Sequence, residues 1–472
     1  MNPFTQNPEF HRNLWLEFSP QRLIIMPAVI LLALFAVGTV ADKNTLDAIL
    51  LLSITGFGVL TIIWGCLKAS NTLRDELSDG TWDNQRMSSL TPWQMTWGKL
   101  LGGPIYAWYG GGILLLVIFL ASGLAEQITG SGILEHFFAH GLLRGMISLT
   151  LLALLMQAIG MMLVLTRWQR QPGKKPSRVG VIGLLILLWV LGSIFPRLAA
   201  RSQSNGFGSV SNITSDWYGI RMGEDFMLVS LFALTAWAVI GLWQLMRREL
   251  QNRNHPWWWP AFLLFWIVWS AGFVGKTEVS AWFKFFCVCA ALIWVSVYVL
   301  IASERKDYAF WIRFVAAWRR RDGVLLQHLL PNWLISFAMA LVLSLAALSL
   351  ILFMRGGSPE FFSRGALFLI SLLAFVLRDA AWILWLNLAP GARRADGAAI
   401  VSLAVAYCLL PLISTRVFLP AGGFLRGLFD VSHGRMPESE IDLGALMAHI
   451  ALAAVTLWLF YFRFRKTFAG KT

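Results

Sequence analysis

Few residues in this chain have the types and spacings that chemistry requires. Gly275-Lys276-Thr277 ends like a phosphate-binding loop, in which a glycine-rich backbone cradles phosphate oxygens ahead of a helix. Ser270 stands where that loop's first glycine belongs, and the segment falls at an expected outer membrane face, so no nucleotide site is expected in this chain. His136 and His140 stand at i and i+4, as two zinc ligands on a helix would. No third ligand accompanies them, and an interfacial helix is the plainer expectation. Asp216, Glu224, Asp225, Asp430, Glu438, Glu440 and Asp442 could supply carboxylates for acid–base work, yet they show no spacing that makes a site. Cys66, Cys287, Cys289 and Cys408 all sit in apolar runs and read as small buried hydrophobes rather than disulfides or metal ligands. Arg378 and Asp379 are the exception. They are adjacent charges inside an apolar run, where ionisable groups are costly, and so are candidates for a substrate pathway or for a pair with neighbouring helices. No metal and no directly bound cofactor are expected.

The elements that hold these residues are membrane helices. The chain has 472 residues, 57% hydrophobic and only 14% charged, with a mean hydropathy of +0.64. A soluble chain of this length needs a more polar surface. The apolar residues come in blocks near the length that crosses a bilayer as a helix, and not as alternating strands of a barrel. The expected fold is all-α, a polytopic helical membrane protein with about twelve spans near 23–40, 46–67, 100–124, 145–165, 179–198, 226–245, 257–273, 281–301, 333–354, 365–387, 398–418 and 443–462. The first is expected to be retained as a span, because its apolar run is too long for a signal peptide. Lys and Arg number 26 on one set of alternate loops against 11 on the other, with Arg197 and Arg416 at span ends counted among the 11. That bias places both termini in the cytoplasm. It also accounts for the net charge of +14 without nucleic acid as a partner.

The layout is loosely two-fold. Residues 1–250 form one six-span half and 251–472 a second, which reads as a degenerate repeat. In each half an inner loop of similar length follows the second span, at 68–99 and 302–332. Ahead of the first span, Phe10, Leu14, Trp15 and Phe18 share one helix face while His11, Arg12, Asn13 and Glu17 lie elsewhere, as in a helix lying on the inner membrane surface. Ser19-Pro20 then opens a new helix. Gly110-Gly111-Gly112 in the third span permits close helix packing.

The first inner loop carries the most specific pattern. The second span is expected to continue past the membrane to about Asp79 and to stop at Gly80, which tolerates a left-handed cap. Thr91-Pro92-Trp93-Gln94 has the form of a helix start with a capping box. Between them Trp82, Met87, Leu90 and Trp93 are expected to be exposed, either as a docking surface for another protein or as tryptophans at the lipid interface. This stretch resembles the signature of the type-2 ABC exporter permeases, in which a Glu four residues before Gly-Thr closes the second span and Gly-Lys-Leu-Leu opens the third. Glu76, Gly80, Thr81, Trp93, Gly98, Lys99, Leu100 and Leu101 match it, as does Asn7-Pro8-Glu9-Phe10 before the surface helix. Ser88-Ser89 stands where the family often has Thr-Pro, and the family usually has six spans. The resemblance covers about the first 250 residues.

The resemblance implies a permease subunit of an ATP-driven exporter in a bacterial inner (plasma) membrane. It implies that Glu76, Gly80, Thr81, Trp82, Trp93, Gly98 and Lys99 couple to a separate ABC ATPase subunit. ATP would be bound on that partner, and the other expected partners are membrane lipids and a second permease copy. In the second half, Glu304-Arg305-Lys306, Phe310, Trp311, Phe314, Val315, Trp318 and Arg319-Arg320-Arg321 read either as a degenerate ATPase contact or as a basic helix on anionic lipid. An ion-coupled carrier, relying on Asp379, and a membrane enzyme acting on lipid-linked substrates are the other readings of the whole chain.

Overall fold

The computed structural model describes residues 7–41, 45–128, 142–170, 215–222, 224–252, 257–273, 279–304, 308–353, 359–388, 395–405 and 443–468. The chain divides into two compact units, Met1–Asn254 and His255–Thr472.

In the first unit, local signals set where the helices begin and end. Helix α1 (Pro8–Glu17) starts with Asn7, whose side-chain oxygen accepts from the backbone N–H groups of Glu9 and Phe10. Helix α2 (Pro20–Val40) starts at Ser19, whose hydroxyl accepts from the Arg22 N–H, with Pro20 at the first position. A continuous helix α3 (Thr45–Ser78) follows. It carries a π-helical segment at Gly58–Trp64. Gly80 then takes the left-handed conformation at φ +75° before the short α4 (Thr81–Arg86). Thr91 and Gln94 complete their capping box at the start of α5 (Pro92–Gly102). Then come α6 (Ile105–Ile128), α7 (Leu142–Arg170), a hairpin of β1 (Ser215–Trp217) and β2 (Ile220–Met222), and α8 (Glu224–Glu249).

The unit's core lies where α3, α6 and α7 approach closely. A Cβ on Gly111 would lie 2.2 Å from Thr61 Cγ2, one on Gly65 2.7 Å from Gln157 Nε2, and one on Gly160 2.6 Å from Cys66 Sγ. Of the three adjacent glycines in α6, Gly110 and Gly111 meet neighbours while Gly112 meets nothing within 4 Å. The π segment is tied into this packing: the Gln157 amide donates to the Thr61 carbonyl (3.0 Å) and the Trp108 indole N–H to Gln157 Oε1 (3.1 Å). These bonds give the Gln157 amide and the freed Thr61 carbonyl partners where water is scarce.

The second unit contains α9 (Trp258–Ala271), α10 (Val279–Ser303), α11 (Tyr308–Arg320), α12 (Gly323–Leu329), α13 (Asn332–Phe353), α14 (Pro359–Asn387), α15 (Ala395–Ala404) and α16 (Leu443–Phe468). Its core gathers on Trp294, Val297 and Ala340, with Trp294 set edge-on to Phe337 at 5.0 Å. Two tryptophan N–H groups find hydroxyls: Trp259 donates to Ser336 Oγ (2.8 Å) and Trp382 to Ser402 Oγ (2.9 Å).

The fold is a helical, multi-pass membrane protein, with the short hairpin an addition to the all-α expectation. The span count differs from the twelve expected. Among the described residues six helices are long and apolar enough to cross a membrane: Pro20–Val40, Thr45–Ser78, Leu143–Gln169, Asp225–Glu249, Asn332–Leu350 and Leu369–Asn387. The pair Pro92–Gly102 and Ile105–Ala121, bent by 57°, makes a seventh if taken as one span. Two physical differences lower the count. The expected third span is broken between α5 and α6, and the apolar helix Trp258–Ala271 is short. The expected span at 179–198, and most of that at 398–418, lie outside the described residues.

Candidate functional site

The residues singled out in the first inner loop converge on one cluster, and it is built from helix ends. The extension of α3 beyond the π segment delivers Glu76, and the left-handed Gly80 turns the chain so that Thr81 Oγ1 donates back to the Glu76 carbonyl (3.2 Å). Helix α5 brings Lys99 to the same point. Its ammonium donates to Glu9 Oε1 on α1 at 2.8 Å and pairs with Glu76. Arg12 completes the circuit by pairing with both Glu76 and Glu9, the latter at 2.9 Å. Two cations and two carboxylates therefore balance, with the Lys99 and Glu9 side chains each only 3% exposed.

Trp82 closes one side of the cluster. Its ring lies under the Lys99 ammonium, 5.2 Å from nitrogen to ring centre, and the residue is only 2% exposed. This corrects the expectation that Trp82 would be exposed: the short α4 folds it inward as an apolar wall and a π face for a desolvated cation. Glu76 is likewise occupied within the chain by Lys99 and Arg12. The exposed apolar residues of the loop are Met87 (81%) and Trp93 (45%). Trp93 meets Trp97 edge-on at 5.6 Å and Trp243 at 6.1 Å.

Helix α1 lies on α5 through a run of close contacts. A Cβ on Gly98 would come within 2.7 Å of Glu9 Cβ, and one on Gly102 within 2.9 Å of Asn13 Cβ. Asn13 Nδ2 donates to the Gly98 carbonyl (3.3 Å) and Asn7 Nδ2 to that of Gln94 (2.8 Å). The buried face of α1 is thus its polar one, with Glu9 and Asn13 inside, while Trp15 is 83% exposed. Glu9, Arg12 and Asn13 escaped the sequence reading as site residues. A signal existed: Glu9 and Asn13 stand at i and i+4, matching Gly98 and Gly102, so one helix carries two polar knobs where the other carries two gaps.

Both carboxylates are engaged by cations within the chain. What the arrangement can do is mechanical. It joins the extension of the long helix α3, the bent pair α5–α6 and helix α1 into one piece.

In the second unit, Asp379 accepts from Arg378 Nε (2.9 Å) through one oxygen and from the Tyr298 hydroxyl (2.8 Å) through the other. The Arg378 guanidinium also stacks on the Phe375 ring at 4.6 Å. Both charged residues are buried, and they pair with one another and with α10. Cys66 donates to the Met156 carbonyl (3.1 Å), and Cys66, Cys287 and Cys289 are free thiols. Among the described residues no group of three or more His, Cys, Asp or Glu could hold a metal. His136, His140, Gly275-Lys276-Thr277, Cys408 and the acids from Asp430 to Asp442 lie outside the described residues. Compared with protein-family models, with curated proteins and with solved structures, the chain matches none.

Proposed function

We propose that this chain is the transmembrane permease subunit of an ATP-driven ABC exporter, with both termini in the cytoplasm of a bacterial inner membrane. The observation that supports it best is the fastening of α1, α3 and α5 around Lys99, beside a loop that leaves Met87 and Trp93 exposed. A motor that is a separate protein must push on something stiff. A surface whose charges are satisfied internally can transmit a push to the broken span at 57° without first being assembled by the partner. Glu76, Gly80, Thr81, Trp82, Gly98 and Lys99 then shape the platform, and Met87 and Trp93 are the residues that meet the ATPase subunit. Substrate would pass between the membrane helices, and ATP would be bound and hydrolysed on the partner.

The test is affinity purification of the full chain from native membranes. An ATPase subunit should co-purify with it, and Met87→Asp with Trp93→Asp should lower its yield at least tenfold at unchanged membrane insertion. This is the loss expected when apolar contacts of a few kcal/mol are removed from an interface. Recovery of the chain without any ATPase, after cross-linking in membranes that actively export, would overturn the reading. An ion-coupled carrier is the second reading, favoured by the burial of Asp379 beside Arg378 and Tyr298. It requires proton- or sodium-driven transport that survives the removal of ATP.

A further inference from the structure

Helix α11 of the second unit has a surface that its own packing leaves open. Trp311 faces inward and meets Phe464 of α16 edge-on at 5.9 Å. Phe310 stacks on Phe314 at 6.1 Å, and Ala317 is fully buried. That half of the apolar arc is occupied. The rest is not: Ile312 is exposed, Trp318 is 66% exposed, and beyond the turn Val324 and Leu325 are exposed as well. Arg313, Arg319, Arg320 and Arg321 stand among them, all exposed, and among the described residues none of these arginines makes an ion pair. The one acid of the segment, Asp322, is committed to capping α12 by accepting from the Leu325 N–H at 3.0 Å.

The turn itself favours this charge. Helix α11 ends in a paired cap in which Arg321 N–H donates to the Trp318 carbonyl (3.2 Å) and Asp322 N–H to that of Ala317 (3.1 Å). Arg321 takes φ +53°, a position that glycine ordinarily fills, and an arginine stands there instead. The helix against which α11 packs also ends in charge, with Arg465 and Lys466 in the last turn of α16, both exposed.

We infer that α11 and the start of α12 bind the headgroups of anionic phospholipids, with Ile312, Trp318, Val324 and Leu325 in the interfacial layer and the arginines on the phosphates. Charge complementarity selects this occupant. Exposed apolar groups alone would suit a protein or any lipid, but four uncompensated guanidiniums beside them suit a surface rich in phosphodiesters. Arginine forms two parallel hydrogen bonds to a phosphate, and tryptophan prefers the headgroup level. The inference goes beyond the exporter reading and stands or falls separately from it.

The test uses the full chain reconstituted in vesicles containing equal mole fractions of photoactivatable phosphatidylglycerol and photoactivatable phosphatidylcholine, with cross-links mapped by peptide mass spectrometry. Each basic residue near an anionic surface shifts partition by roughly fivefold, so residues 308–330 should label at least fivefold more with the anionic lipid. Exposed Leu32 and Phe35 of α2 should label equally with both and serve as the reference. Arg319→Glu with Arg320→Glu and Arg321→Glu should bring the ratio near one, and the three matching lysine substitutions should largely keep it. Equal labelling of the unmodified chain by the two lipids would overturn the inference without any variant. So would a polypeptide, in place of lipid, cross-linked to Ile312 and Trp318 in native membranes.

Discussion

The segments at 68–99 and 302–332 use the same parts and fasten them oppositely. At the first, surface helix α1 is held by its polar face: Glu9 and Asn13 go inside against Lys99, Gly98 and Gly102, and Trp15 is left outside. In the second, α11 is held by its aromatic face, with Trp311 against Phe464, and its arginines are left outside. The acids after the second span of each half diverge in the same way. Glu76 joins the ion cluster, whereas Glu304 accepts from the Asn332 N–H (3.1 Å) at the start of α13. A polar clamp holds one geometry, because a displaced partner leaves a buried charge uncompensated. Aromatic packing makes a weaker geometric demand, because most of its stabilisation is apolar burial, which has no direction. The first loop is therefore built for register and the second for adhesion.

The largest effects should come from the two fasteners themselves. Lys99→Met strands Glu9 and Glu76 and should cost about 3–5 kcal/mol, the usual penalty for breaking a buried pair from one side. It should release α1, seen as rapid hydrogen exchange over residues 8–17 together with a lower melting temperature in detergent. Adding Glu9→Gln should restore part of the loss. If Lys99→Met leaves exchange in α1 unchanged, the polar clamp is not what holds it. Trp311→Ala should cost a similar amount, about 3–5 kcal/mol, through lost packing, with exchange rising over residues 308–320 and α1 unaffected.

Smaller effects sharpen the contrast. Gly98→Ala places a methyl group against Glu9 Cβ and should cost about 1–3 kcal/mol as overpacking, read as a lower melting temperature. Gly80→Val forces a branched residue into the left-handed region for about 1–2 kcal/mol, and circular dichroism should show the helices intact. Arg12→Ala should cost least, under about 1 kcal/mol, because that side chain is 40% exposed and its pairs are screened. A loss from Arg12→Ala as large as that from Lys99→Met would move the centre of the clamp from the lysine to the arginine.

Much of this protein was legible in its residues alone, for a local reason in each instance. Helix ends at Ser19, Gly80 and Thr91–Gln94 were readable because a cap is made by residues within four positions of one another. Membrane insertion was readable because hydropathy is summed over one segment and needs no partner. What only the tertiary structure decided depends on residues far apart in sequence. Lys99 finds Glu9 across 90 positions, and the Gln157 amide reaches the Thr61 carbonyl across 96. Amphipathicity showed that α1 has two faces but not which one the protein would bury. The same pattern, apolar on one side and charged on the other, suits a lipid surface outside or a glycine-lined groove within. Glu9 and Asn13 went inside because Gly98 and Gly102 left room for them and Lys99 supplied the charge. Trp82 shows the same limit: an aromatic residue among charges reads as exposed until the cation that covers it is placed above its ring.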